Sequence, residues 1–463
     1  MKNIAAGVVL VLSTTLFGQV SEAAESAAIS PDQINVGQST ALQDYLAKED
    51  ASYRWRTIRE GEIAGTRYVE LILTSQTWRD IVWKHRLFIL KPEKVATGKH
   101  AMLIIAGGKW KQRYEDPSYN DVPAKEAVLF ATIAKQFASP VAVLLQVPQQ
   151  PIFDGMVEDE IISYTFEKFL ETGDPEWPLL LPMVKSAVRG MDAVQEYCLS
   201  QWSIPIESFT VTGASKRGWT TWLAGASDSR VTGIAPMVID VLNMRRQIDH
   251  QQEAWGGLSE QIHDYSERNI PQTMKTEAGE KLLQIVDPLA YRDSLTLPKL
   301  IILGTNDRYW TLDALNLYWS ELVGPKCVLY VPNNGHGLID YPRILGAVSA
   351  LHEQAQGGDK LPNLSWSFSE TSSEVTLSIQ SDSPPTECQI WKTKSKTRDF
   401  RDSHWIASEV TRSGKTYRIQ VDIPKSGNVA FFGEVRYDRK HLPLYLSTNV
   451  RIVPSARVTA PHQ

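Results

Sequence analysis

Between Thr66 and Pro92 apolar and polar positions alternate, first through Tyr68-Val69-Glu70-Leu71-Ile72-Leu73 and then over 81–90, around a short polar break. Period-two alternation predicts an antiparallel hairpin with one face on a core. The runs that follow, 101–105, 141–145, 208–212, 234–239, 299–303 and 327–331, are apolar almost throughout. Strands read this way when both faces are buried, as in a parallel sheet covered by helices. Helical spacing over 124–138 and 183–198 falls between them. The alternation predicts an α/β protein with a mostly parallel sheet, helices on both faces, and the hairpin as its leading edge.

Two segments interrupt this rhythm, one near 152–181, rich in acidic and aromatic residues, and one near 249–295, polar and helix-prone. Insertions of that length are candidates for a cap over a site. Past a Gly357-Gly358-Asp359-Lys360 linker the character changes. The stretches 363–368, 375–379, 417–421 and 428–435 alternate with no helix between them, which predicts a β-sandwich of the immunoglobulin or fibronectin kind. The expected organisation is an α/β domain over 25–357 and a β-sandwich domain over 361–456.

Composition narrows the function classes. Forty-eight basic and 53 acidic residues leave a net charge of -5, which gives no field for nucleic acid or an anionic membrane. Lys2, an apolar stretch to Phe17 and small residues at Ala23-Ala24 form the pattern of a cleaved export signal over 1–24, so a periplasmic or secreted location is expected. No later segment reaches the ~20 apolar residues of a membrane span. Cys198, Cys327 and Cys388 allow at most one bridge. The nine histidines are scattered and no HExxH occurs, so neither metal nor cofactor is expected.

The chemistry concentrates at Thr210-Val211-Thr212-Gly213-Ala214-Ser215-Lys216-Arg217-Gly218, a β-branched strand running into a serine among small residues and then into a helix. A strand-to-helix elbow lifts a serine hydroxyl above the sheet edge and aims the next backbone N–H at a developing oxyanion. The fit to G-x-S-x-G is imperfect, because Arg217 takes the second glycine's place and the glycine moves to 218. On its own this is a weak signal, and an idle serine in a turn matches it as well.

Context strengthens it. Asp307 follows an apolar strand in Gly304-Thr305-Asn306-Asp307, and His336 lies between glycines just past the next strand. The chain order Ser, Asp, His is that of the α/β-hydrolases. Ser215 is thus the candidate nucleophile, His336 the base and Asp307 the acid that orients it, with Asp240 and Asp313 as alternative acids. Gly107-Gly108-Lys109 follows the third strand, so the backbone N–H groups of Gly108, Lys109 and Lys216 are the candidate oxyanion donors, a flexible turn being the plainer reading of the glycines. The Lys216 side chain reads as solvated. Glu158, Asp159 and Glu160 read as a solvated face of the first insertion.

Of the 14 tryptophans, Trp78, Trp110, Trp219, Trp222, Trp310 and Trp319 fall near these elements. Trp110, Trp219 and Trp310 are the candidate substrate contacts, the rest core. The partner expected is a small-molecule or peptide substrate, hydrolysed at an ester or amide through an acyl-enzyme. The β-sandwich is a candidate for protein or glycan contact. A secreted binding protein that keeps the fold without turnover is the alternative from another class.

Gly-Ala-Ser-Lys-Arg-Gly-Trp at 213–219, Gly-Thr-Asn-Asp at 304–307, Asn-Gly-His at 334–336 and Glu-Thr-Gly-Asp-Pro-Glu-Trp-Pro at 171–178 resemble the PhoPQ-activated pathogenicity-related proteins. The likeness spans nearly the whole mature chain, the β-rich tail included. It implies an α/β-hydrolase exported by bacteria, and no substrate. The elbow is also similar to that of the glucuronoyl esterases, with Lys216 where those enzymes have arginine.

Overall fold

In chain order the first strands are β1 (Arg54–Ile63), β2 (Thr66–Trp78), β3 (Ile81–Lys91), β4 (His100–Ile105), β5 (Val141–Leu144), β6 (Ser208–Ala214), β7 (Val231–Met237), β8 (Lys299–Gly304) and β9 (Lys326–Val331). The computed structural model describes residues 39–96, 99–116, 118–119, 125–414 and 416–455, so the expected export signal lies outside the described residues. The strands lie side by side in the order β1-β2-β3-β5-β4-β6-β7-β8-β9. β1, β2, β3 and β5 pair antiparallel, and every pair from β5 through β4 to β9 is parallel. The helices are α1 (Ala41–Ala47), α2 (Lys125–Phe137), α3 (Asp159–Thr172), α4 (Leu180–Trp202), α5 (Lys216–Ser227), α6 (Met244–Trp255), α7 (His263–Glu267), α8 (Ile270–Thr273), α9 (Glu277–Val286) and α10 (Tyr341–Ala355). This strand order, with helices on both faces, is the α/β-hydrolase fold.

Burial of both faces explains the continuous apolar runs. In β8, Leu300 and Ile302 point into the core beneath α2 and α10, while Ile301 and Leu303 join the opposite core with α4 and α5. Successive strand residues take opposite faces, so a strand covered on both sides has no polar position to alternate with. The register aligns Ile105 with Gly213, Gly213 with Pro236, and Gly304 with Val331. The loops after β4, β6, β8 and β9 therefore open at one edge, where ligands of open α/β sheets bind.

The hairpin β2–β3 is not the leading edge, because β1 pairs outside it. β1, Arg-Trp-Arg-Thr-Ile-Arg-Glu-Gly-Glu-Ile, is mostly exposed and lacks the apolar face that announces a strand. Both insertions are helical and pack together. Arg268 of the second donates to Glu167 of the first at 2.6 Å, and the Tyr265 hydroxyl donates to Asp159 at 3.0 Å. The buried Asp287 accepts from the backbone N–H groups of Asn243, Met244 and Leu289, anchoring the start of α6.

The C-terminal strands are β10 (Leu364–Glu370), β11 (Glu374–Ser381), β12 (Glu387–Ser395), β13 (Ile406–Glu409), β14 (Arg412–Ser413), β15 (Thr416–Asp422), β16 (Asn428–Tyr437), β17 (Leu444–Ser447) and β18 (Arg451–Pro454). They form a sandwich of two sheets, β10-β11-β15-β14 and β17-β16-β12-β13 with β18 beside β16. Val375, Leu377, Ile379 and Ile419 of one sheet share a core with Ile390, Val429, Phe431 and Val435 of the other. The second sheet continues the hydrolase sheet, since Ser447 of β17 pairs with Val328 of β9 and its hydroxyl accepts from Tyr330 N at 3.0 Å. Cys198, Cys327 and Cys388 are all free.

Candidate active site

Ser215 sits between β6 and α5 with φ 59 and ψ -128, a conformation a non-glycine residue holds only when its surroundings impose it. Its N–H donates to Met237 O at 2.8 Å, and its carbonyl accepts from Trp219 N at 3.0 Å. The two glycines serve close approach. A Cβ on Gly213 would lie 2.7 Å from the Arg217 carbonyl oxygen, and one on Gly218 would lie 2.9 Å from Met237 O and 2.7 Å from Ile239. The second glycine stands at 218 because that position, not 217, presses on β7.

Position 217 is free to carry a long side chain, and its guanidinium spans the elbow. Arg217 Nε donates to Val147 O, while Nη1 and Nη2 reach Glu158 Oε2 and Oε1 at 2.7 and 2.8 Å. The same group covers Gly107, whose Cα leaves it room. Burial pushes the Glu158 carboxyl up, yet the hydrogen bond and charge of Arg217 and the charge of Lys216 outweigh burial and hold it low, at about 2. Lys216 Nζ lies 2.9 Å from Asp159 Oδ2 and 3.2 Å from Glu158 Oε2, with its side chain only 8% exposed. The solvated lysine and solvated acidic face read from sequence are therefore corrected for Lys216, Glu158 and Asp159. These groups pair across more than fifty residues, and no local pattern announces that.

Asp307 and His336 meet. The His336 Nδ1–H donates to Asp307 Oδ2 at 2.9 Å, and Asp307 Oδ1 accepts from Tyr309 N at 3.0 Å. The Tyr309 ring lies against the imidazole, centroids 4.3 Å apart. Among the described residues neither alternative acid bonds His336. Asp313 pairs with His250 at 2.8 Å and Arg398 at 3.0 Å. Asp240 is buried and, with Asp307, lines a small hollow. Burial, with the nearby charges of Asp307 and Asp313, pushes its carboxyl up to about 7.

The acid and histidine loops are stitched to the sandwich. Asn306 Nδ2 donates to the Arg401 and Ser403 carbonyls at 3.1 and 2.7 Å. Asn333 both donates to Trp405 O at 3.0 Å and accepts from Trp405 N at 2.8 Å. The segment between β12 and β13 thus holds the turns that present Asp307 and His336, a role sequence reasoning missed.

Ser215 and His336 line one cavity of about 600 Å³, counted out to its mouth. Among the described residues no hydrogen bond joins them. Lys216, Trp219 and Trp310 line it too, with Val238, Ile239 and Val241 from the loop after β7, Met244 and Ile248 from α6, and Ile262, Tyr265, Pro271 and Met274 from the second insertion. Trp219 is fixed by its indole N–H on Val286 O at 2.6 Å. Trp110 packs edge-on against Tyr114, 5.6 Å between centroids, and does not line this cavity. Nor do Gly108 and Lys109, although Gly108, at φ +114, adjoins the loop clamped by Arg217. Trp78, Trp222 and Trp319 lie outside the cavity as well. Among the described residues no group of three or more His, Cys, Asp or Glu side chains is placed to hold a metal ion, and none of their helices is long and apolar enough to cross a membrane.

A family profile described as PhoPQ-activated pathogenicity-related protein matches residues 42–401. A relative from Dictyostelium discoideum, autocrine proliferation repressor protein A, is 32% identical over 439 residues, covering 86% of each chain. Similar solved structures include an acetyl xylan esterase from Paenibacillus sp. R4, with 13% identity, 65% of this chain and 88% of that one, and TM-score 0.46. Acetyl xylan esterase 1 from Thermoanaerobacterium sp. JW/SL YS485 aligns at 14% identity over 66% of this chain and 90% of that one, TM-score 0.43. Overlaps this loose transfer no substrate.

Proposed function

The chain belongs to the PhoPQ-activated pathogenicity-related protein family, and on that premise we propose that it is an exported serine hydrolase that cleaves an ester through an acyl-enzyme on Ser215. The observation that carries this reading is the imidazole of His336, held by Asp307 at 2.9 Å on one side and opening with Ser215 into a single cavity on the other. In this mechanism His336 takes the Ser215 proton as Oγ bonds to the carbonyl carbon, then gives it to the departing alkoxide. A water, deprotonated by the same imidazole, releases the acid and restores the serine. Asp307 fixes the tautomer and stabilises the cation. The Lys216 N–H, first of helix α5, is one of the donors a helix start leaves unpaired and suits the oxyanion, with Gly108 or Lys109 as its partner. The pattern at residues 1–24 supports export to the periplasm or beyond.

Hydrolysis of p-nitrophenyl esters beside the matching anilides tests the reading. Ester turnover lost in Ser215→Ala and His336→Ala supports it, anilide turnover alone favours a peptidase, and ester turnover unchanged in Ser215→Ala overturns it. The name of the Dictyostelium relative favours a second reading, a secreted signalling protein that keeps the fold without turnover. Inactivity of folded wild-type protein in both assays points there.

A further inference from the structure

Resting on the hydrolase reading, we infer that the substrate presents an uncharged apolar group, a medium alkyl chain or an aromatic ring, to the cavity beside Ser215. The cavity wall carries the argument. Ile248 of α6 and Ile262, Pro271 and Met274 of the second insertion line the same cavity as Trp219 and Trp310, together with the serine and histidine. Hydrocarbon walls recover free energy only from apolar surface, and a sugar hydroxyl set against them would lose its hydrogen bonds to water without replacement.

The charged groups at the wall point the same way. Lys216 and Asp159 both border the cavity. Their charges are already spent on each other at 2.9 Å, and Glu158 gives the ammonium a second partner at 3.2 Å. The Tyr265 hydroxyl also bonds Asp159, at 3.0 Å. A substrate carboxylate entering here would meet a neutralised pair and leave water for no new partner, a costly transfer. Beyond this paired cluster much of the lining is hydrocarbon, with Ile262, Pro271 and Met274 supplied by the second insertion, so that insertion sets the specificity.

The test is a series of p-nitrophenyl esters from acetate through butanoate to hexanoate, with phenylacetate, and a second series of acetate esters with growing alcohols. Each buried methylene contributes roughly a fourfold gain, so kcat/KM should rise about tenfold or more along the series whose variable part enters the cavity. That series identifies whether the acyl or the alcohol side is bound. Met274→Trp, which fills the cavity, should lower the hexanoate-to-acetate ratio about tenfold, and Ile248→Ala should move the optimum to longer chains. Titration calorimetry on Ser215→Ala with p-nitrophenyl hexanoate and acetate reads the cavity without turnover. Tighter hexanoate binding supports the proposal even if wild-type protein proves inactive, which counts only against the hydrolase reading. Equal or falling kcat/KM in both series, or preference for a succinate half-ester over its uncharged analogue, overturns it.

Discussion

Arg217 and Glu158 face each other in a two-pronged ion pair, Nη1 on Oε2 at 2.7 Å and Nη2 on Oε1 at 2.8 Å. The pair ties the helix after Ser215 to the residue that opens α3, and the guanidinium covers Gly107 on the way. Strain at Ser215 (φ 59) and at Glu158 (φ 55) lies at the two ends of this brace.

Glu158→Gln keeps the shape and removes the charge. Glu158 retains an exposed edge, so the expected loss is about 1–3 kcal/mol, below that of a fully buried pair. Ester turnover should fall roughly tenfold or more as the elbow that carries the serine loosens. Urea midpoints and kcat measured together check this, and a variant unchanged in both contradicts the brace.

Gly218→Ala places a methyl 2.9 Å from Met237 O and 2.7 Å from Ile239. It should cost about 1–3 kcal/mol and displace the elbow. Gly257→Ala, where nothing lies within 4 Å, is the control and should be near neutral. Thermal unfolding of the two variants side by side reads the difference.

Asn333 holds Trp405 by two bonds while at φ 56. Asn333→Gly removes the bonds without backbone strain, and Asn333→Ala adds the strain. The glycine variant should lose about 1–3 kcal/mol and the alanine variant more. Both should lower kcat with little change in KM, because the loop presenting His336 moves and the apolar cavity does not. A KM effect alone contradicts this role.

Asp240 makes stability depend on pH. In the fold its carboxyl keeps a proton up to about pH 7, whereas its ordinary value is 3.8. The native state binds more protons across that window, so this contribution is full below pH ~4 and is lost as pH rises to about 7. Asp240→Asn removes the dependence. From pH 4 to 7.5 wild-type should lose on the order of 4 kcal/mol relative to the variant. Denaturant midpoints at both pH values check it, the other buried groups being common to the two proteins, and parallel curves contradict it.

Much of this site is legible in the sequence because it is built from local turns. Ser215, Asp307 and His336 each follow a strand whose two-faced burial shows as an apolar run, so their chain order carries the geometry. What is not legible is paired over long distances. The Lys216–Asp159 contact, the Asn333 bonds to Trp405 and the Ser447–Val328 junction join segments whose local patterns are ordinary. β1 was invisible for a different reason, since an exposed edge strand has no apolar face to display. Trp110 lies outside the cavity lining, since nearness in sequence to a glycine loop does not say which way a ring turns.

Labelling of the purified protein with a fluorophosphonate, followed by mass-spectrometric mapping, tests the central claim most directly. The adduct should sit on Ser215, form at least about a hundredfold more slowly in His336→Ala, and slow less in Asp307→Asn. An adduct on another residue, or labelling of Ser215 indifferent to His336, would contradict the triad.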